Sequence, residues 1–327
     1  MTHPDHARAT GRVLALTQFA PFQILPAHEL ELIARTGREQ MLSRRTVLVR
    51  AGERPDALHV PLHGALELSM PGHREDPDWN PPRLSALALL AQTPLLADLV
   101  APAGTVMLTV DQDALAAVLE EHGQLCRHLL GALAVQLQRR RPMSGPSFRV
   151  VPEPEPPSPD VVWRMLTFRK LLGPGGSGMS AVVRLARVAR EVHLATGMTV
   201  TSSPDEQRIL TVTHGALRLL PDEGGSRLAR AGEVVGLFEA VAAVPISFRA
   251  IATVPSHLLV LARPELEQAI EDEDSLCLDL IRGFAADLFR EGTGGPSGRD
   301  QPSPRDRTPE CFPPVTSARG PTRRRSS

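Results

Sequence analysis

The sequence predicts a mainly β protein with flanking helices, organised as two tandem jelly-roll β-barrels, each closed by helices on its C-terminal side. Three observations predict it. A segment recurs at one long offset, short alternating apolar runs are separated by turn residues, and each half ends with a change from strand to helix periodicity.

The repeat is explicit. His63-Gly64-Ala65-Leu66-Glu67-Leu68 recurs as His214-Gly215-Ala216-Leu217-Arg218-Leu219, an offset of 151. The same offset pairs Pro94 with Pro245, Leu115 with Leu266, Leu125-Cys126 with Leu276-Cys277, and Leu137 with Leu288. Upstream, with one residue of slippage, Ala34-Arg35 and Arg38-Glu39 meet Ala186-Arg187 and Arg190-Glu191. A period this long predicts two whole domains rather than a solenoid. Residues 142–160 are rich in proline, which removes donors and holds a chain extended, so they predict a linker. The expected organisation is a disordered start over 1–13, one domain over 14–141, the linker, a second domain over 161–291 and a disordered tail over 292–327.

The first half opens with apolar residues at helical spacing: Leu14, Phe19 and Phe22, then Leu30, Ile33 and Ala34. Strands follow at Thr46–Val49 and around Leu58, Val60 and Leu62. Gly64 lies between two alternating runs, where a hairpin demands positive φ. Residues 71–82 predict a loop, and 84–110 an apolar stretch broken at Pro94, Pro102 and Gly104 that ends in a strand over Val106–Val110. Asp111 or Asp113 then caps a helix carrying Leu115, Val118 and Leu119, and a longer helix carries Leu125 to Leu137. The second half repeats this order, with helices near 163–172 and 180–190, strands from 198 to 261, and helices near 264–272 and 275–290.

Composition bounds the function. The 327 residues carry a net charge of −1, so nothing global points to nucleic acid or to an anionic membrane. Lys170 is the only lysine, which with many Ala and Pro suggests a GC-rich bacterial genome. Cys126, Cys277 and Cys311 show neither CxxC spacing nor an even framework, so zinc and structural disulfides are not implied. The N-terminal residues lack an apolar signal region and no run of about 18 apolar residues occurs, which predicts a cytoplasmic protein without membrane insertion.

Both halves resemble the cyclic-nucleotide-binding domain of catabolite activator proteins, protein kinase A regulatory subunits and gated channels. The likeness rests on Phe22-Gln23-Ile24-Leu25-Pro26, on Ala51-Gly52-Glu53 and the hairpin at Gly64, and in the second half on Ala231-Gly232-Glu233-Val234-Val235-Gly236-Leu237-Phe238. It implies that the segment after Gly232 corresponds to a phosphate cassette, where a short helix offers N–H groups, a glutamate holds ribose and an arginine meets the phosphate. The implied ligand positions are Gly232, Glu233, Gly236, Leu237, Glu239, Ser247 and Arg249. Leu237 stands where the family has its ribose-binding glutamate. Val244, Pro245 or Ile246 stands where it has its arginine, leaving Arg249 as the nearby cation. The first half has Pro81-Pro82 in place of Gly232-Glu233 and Asp98 in place of Arg249. The cofactor implied is cAMP or cGMP in the second half, against pockets filled by side chains.

Other candidates read as structural. His63 and His214 sit beside turn glycines. His59 precedes His63 by four residues but Leu210 stands at its counterpart, and no HxH pair of the kind a metal-binding jelly roll uses occurs, so no metal is expected. Cys126 and Cys277 lie on apolar helix faces as buried thiols. Glu271-Asp272-Glu273-Asp274 caps a helix. Ser177 in Gly175-Gly176-Ser177-Gly178 lacks the context of a nucleophile elbow or a P-loop.

The leucine stripes over 125–137 and 276–289 predict either self-association or docking of a protein partner, or packing of one half on the other. No helix-turn-helix pattern follows Phe289, which argues against DNA binding. The expectation is a non-enzymatic regulatory sensor with degenerate cassettes. The alternative is a structural protein–protein interaction scaffold with no small-molecule ligand.

Overall fold

The computed structural model describes residues 4–18, 21–69, 80–145, 161–172, 179–222 and 225–293. The chain begins with α1 (Pro4–Leu16), where composition predicted disorder over 1–13, then a 3-10 turn at Phe22–Ile24 and α2 (Ala27–Thr36). Leu16, Phe22, Leu30 and Ile33 from this corner are wholly buried, whereas Leu14, expected on the apolar face, is exposed; Phe19 lies outside the described residues.

Strands β1 (Arg38–Met41), β2 (Thr46–Val49), β3 (Ala57–His63) and β4 (Glu67–Ser69) come next. Then follow α3 (Pro81–Ala91), β5 (Asp98–Ala101), β6 (Val106–Asp111), α4 (Gln112–Glu121) and α5 (Gly123–Arg140). The second half runs α6 (Val161–Leu172), α7 (Met179–Val188), β7 (Arg190–Leu194), β8 (Thr199–Ser202), β9 (Arg208–His214), β10 (Ala216–Pro221), β11 (Arg227–Arg230) and β12 (Val234–Val235). It ends with α8 (Leu237–Val241), β13 (Phe248–Ala252), β14 (Ser256–Ala262), α9 (Arg263–Asp272) and α10 (Asp274–Gly292).

The fold is antiparallel β with flanking helices, of jelly-roll type. Two sheets, β1-β6-β3 and β2-β5-β4, form the first half; β12-β9-β14-β7 and β11-β10-β13-β8 form the second. The ladders carry the sequence offset. Leu58 pairs with Val110 as Ile209 pairs with Leu261, and Ser69 with Asp98 as Leu220 with Arg249. Gly64 and Gly215 both turn their hairpins at positive φ, +88° and +80°. A Cβ on Gly215 would lie 2.5 Å from the carbonyl oxygen of Pro255, so only glycine fits that turn.

Two predicted segments differ. The loop expected over 71–82 gives way at Pro81 to α3, capped by Asn80, whose side chain accepts the N–H of Arg83 at 3.0 Å; residues 70–79 lie outside the described residues. This helix carried no helical period because Leu84 to Leu89 are buried on every side. The linker expected from residue 142 is packed down over 142–145. Its remaining residues 146–160, and the tail beyond Thr293 with its Arg323-Arg324-Arg325 cluster and Cys311, lie outside the described residues, as does Ser177.

The long helices α5 and α10 pack against each other, so the leucine stripes that were candidates for self-association are covered within the chain. Positions 151 apart meet along them. A Cβ on Gly123 would lie 3.2 Å from Asp274 Oδ1, the thiols of Cys126 and Cys277 touch, and Arg140 pairs with Glu291 at 3.5 Å. Equivalent residues meeting at both ends means that the helices run parallel and in register. The contact with Cys126, with burial, pushes the Cys277 thiol up, and both cysteines are buried as expected.

Each helix also crosses to the other half: α5 packs on α8, and α10 on α3. Phe238 of α8 meets Phe284 of α10 edge-to-face, with centroids 5.0 Å apart, and both rings are fully buried. Replacing Phe284→Ala is expected to cost about 3–5 kcal/mol in urea unfolding. A loss below ~1 kcal/mol would show that the crossing contributes little.

Candidate functional site

The predicted ligand positions divide into two groups. Gly232, Glu233, Gly236, Leu237 and Glu239 come together on one turn-and-helix unit. Gly232 takes φ +91° and donates its N–H to the Val212 carbonyl at 2.7 Å, while the Glu233 carbonyl accepts the N–H of Val212 at 2.9 Å. Gly236, at φ +81°, caps α8, and a Cβ there would lie 3.0 Å from the Arg208 carbonyl oxygen. Leu237 is half-buried, and Phe238 and Glu239 are buried.

Ser247 and Arg249 sit apart from that unit. Ser247 is half-buried and its carbonyl accepts the N–H of Asp222 at 3.3 Å. On β13 the side chains of Phe248, Ala250 and Ala252 point into the barrel, so strand alternation turns Arg249 outward into solvent. The cation expected to replace the family's arginine therefore faces away from the cassette. Parity on the strand, not distance along the chain, decides this.

The mouth of the second barrel is closed by residues that sequence reasoning missed. Met143, at the start of the Pro-rich segment, is buried among Val200, Leu210, Leu217, Val235 and Phe248 inside the barrel. Its N–H donates to Glu239 Oε1 at 2.5 Å and its carbonyl accepts from Arg227 Nη2 at 2.8 Å. Arg227 also pairs with Glu233 at 2.5 Å. A Cβ on Gly145 would lie 2.8 Å from the Val234 carbonyl oxygen, so the segment lies flush against β12. Upstream, Arg141 pairs with Asp287 at 2.8 Å and stands 5.5 Å over the Phe238 ring. A single methionine among prolines and serines gave no periodicity by which to find it.

Burial drives the electrostatics here. Glu239 is wholly buried, and desolvation raises its carboxyl above the ordinary range, opposed by the N–H groups of Met143 and of Glu239 itself and by the Arg227 charge. Its Oε2 has no hydrogen-bond partner among the described residues.

The first half is closed differently. Leu84 and Leu87 of α3 join Leu66, Leu99 and Met107 in one core, and Asp98 accepts the Ala51 N–H at 2.7 Å. Asp98 thus holds a turn. A surface cleft of about 410 Å³ lined by Gln18, Ile24, Arg83, Gln136 and Arg139 lies elsewhere, and no predicted site residue lines it.

The histidines also separate. His59 is buried and both ring nitrogens lack a partner among the described residues, while His63 is exposed at the strand end. Burial lowers the His59 pKa to about 4, against the opposing charges of Asp56 and Asp111. In the second half, Glu191, His193 and His257 bring three ligating atoms within 4.8 Å of one another, and His214 stands beside His257. The absence of HxH concealed this group because its members come from different strands.

No family model and no curated protein matches the chain. Among solved structures it is similar to the regulatory domain of Toxoplasma gondii PKA crystallised with cAMP. That match has 14% identity, 89% of this chain, 98% of the other and a TM-score of 0.31. It is similar to the regulatory subunit of a cAMP-independent protein kinase A from Trypanosoma cruzi bound to guanosine, at 13% identity over 90% and 94% with a TM-score of 0.30. The N-terminal domain of a Streptomyces coelicolor transcriptional regulator matches at 24% identity, over 36% of this chain and 86% of the other, with a TM-score of 0.28.

Two pH dependences follow. The folded chain holds the Glu239 proton to higher pH than the unfolded chain does, so this group lowers stability as pH rises from the ordinary carboxylate value through its raised one. Glu239→Gln keeps an acceptor for Met143 and should remove that slope in urea midpoints; an unchanged slope would place Glu239 in water. His59 behaves oppositely: it stays neutral when folded, so stability present above pH 6.5 is lost as pH falls towards 4, on the order of 3 kcal/mol in full. His59→Leu, the residue type at Leu210, should abolish this acid loss, and persistence of the loss would assign it to other groups.

Proposed function

We propose that the chain is a non-enzymatic regulatory protein of the cyclic-nucleotide-binding type, two fused copies of one barrel acting in the bacterial cytoplasm. In the second copy, residues 143–145 stand in place of a small ligand. The observation that carries this reading is Met143, whose side chain lies inside the barrel while Glu239 and Arg227 hold its peptide from both sides. A carboxylate for an N–H and a guanidinium for a carbonyl match a neutral peptide unit, not a cyclic phosphate.

The first copy supports a scaffolding role, since Leu84 and Leu87 of α3 join its apolar core. Regulation would act by releasing or seating the 142–145 segment, because Arg141 ties it to α10 and Met143 ties it to the second barrel. Shared ladder registers, the repeated sequence and the parallel pairing of α5 with α10 support fusion of two copies. Among the described residues no helix is long and apolar enough to cross a membrane.

Thermal unfolding with millimolar cAMP or cGMP tests the reading. A nucleotide at a hundred times its Kd would add about 2.7 kcal/mol and raise the midpoint by several degrees. The expected result is no rise with either. A rise in the unaltered chain would overturn the internal-segment reading and return the second barrel to nucleotide sensing.

A further inference from the structure

On the sheet β12-β9-β14-β7, one face lines the barrel with Val192, Leu194, Val212 and Leu258. Glu191, His193 and His257 alternate onto the opposite face. His193 and His257 are direct cross-strand partners on β7 and β14. On the other side of β14, the ladder shifts between His257 and Leu258, skipping Thr213 and setting His214 opposite His257. Such an irregularity re-aims a side chain. Three histidines thus stand side by side across β7, β14 and β9, with Glu191 next to His193.

Distances within the group are short. His193 Nδ1 lies 3.1 Å from His257 Nε2, and one ligating atom from each of Glu191, His193 and His257 lies within 4.8 Å of the others; Glu191 Oε1 also lies 3.1 Å from the other ring nitrogen, His193 Nε2. A tetrahedral ion with nitrogen ligands at 2.0–2.1 Å sets them about 3.3 Å apart, close to the ring–ring spacing already present. Two imidazoles and one carboxylate form the donor set that zinc uses when it keeps an open position.

The two histidines are special to the second half, whereas Glu191 has its counterpart in Glu39 of the first. At the equivalent positions of the first half stand Met41 for His193 and Val106 for His257, in the same strand order. The His193 side chain is 55% exposed, so an ion has access.

We propose that Glu191, His193 and His257 form a divalent-metal site for Zn²⁺ or an ion of similar softness, with the remaining position open to water. Binding takes the neutral imidazoles and the ionised carboxylate, so a proton held between the two rings must move to a ring nitrogen that faces away from the ion or leave to solvent.

The test is calorimetric titration of ZnCl₂ into the untagged, metal-stripped full chain, with Co²⁺ absorption reporting coordination. One saturable site is expected, with tetrahedral Co²⁺ bands. His193→Ala and His257→Ala should each weaken it at least about tenfold, and Glu191→Gln should weaken it as well. His63→Ala, at the first-half counterpart of His214, should leave it unchanged. No saturable site, or one that survives His193→Ala with His257→Ala, would overturn the proposal. Circular dichroism without metal checks folding, and should His257→Ala unfold the chain, the exposed His193→Ala decides alone.

Discussion

The parallel, in-register pairing of α5 with α10 is the contact on which the rest of the structure depends. Each helix belongs to one half by sequence and covers the other half in space, α5 over α8 and α10 over α3. A small residue on α10 helps this approach: a Cβ on Gly292 would lie 3.0 Å from Leu84 Cδ2. Because α5 ends beside α10, Arg141 reaches Asp287 and Glu291, and the chain leaves that pair already aimed at the second barrel. The position of Met143 is therefore a consequence of where two helices end.

Closure of the barrel then follows from the need to satisfy backbone groups. A peptide unit pushed into an apolar mouth must find partners for its N–H and its carbonyl. Glu239 and Arg227 supply them from α8 and β11, and Glu233 balances the charge of Arg227. A buried carboxyl is costly without such donors, which ties Glu239 to the segment as firmly as the segment is tied to Glu239.

Much of this was legible in the sequence because it depends on periodicity. The strands at Thr46–Val49 and Val106–Asp111, the hairpins at Gly64 and Gly215 and the helices that end each half all carry a period or a turn signal. What was missed lacks one. Helix α3 is apolar all round and shows no stripe; Met143 stands alone; and the direction of Arg249 depends on strand parity that only the ladder fixes. The histidine row joins residues 64 apart through register and one ladder irregularity, so no spacing motif announces it.

The pairing of α5 with α10 has an evolutionary side as well. In a dimer of identical subunits, a residue on the two-fold axis faces its own copy, so an arginine there meets an arginine. Here Arg140 faces Glu291, and Gly123 faces Asp274. On the proposal that the halves are fused copies, joining them in one polypeptide lets opposite charges, or a gap and its filler, occupy the two sides of a single seam. It also lets one half acquire a trait, such as the facing pair His193 and His257, that the other half is never obliged to copy.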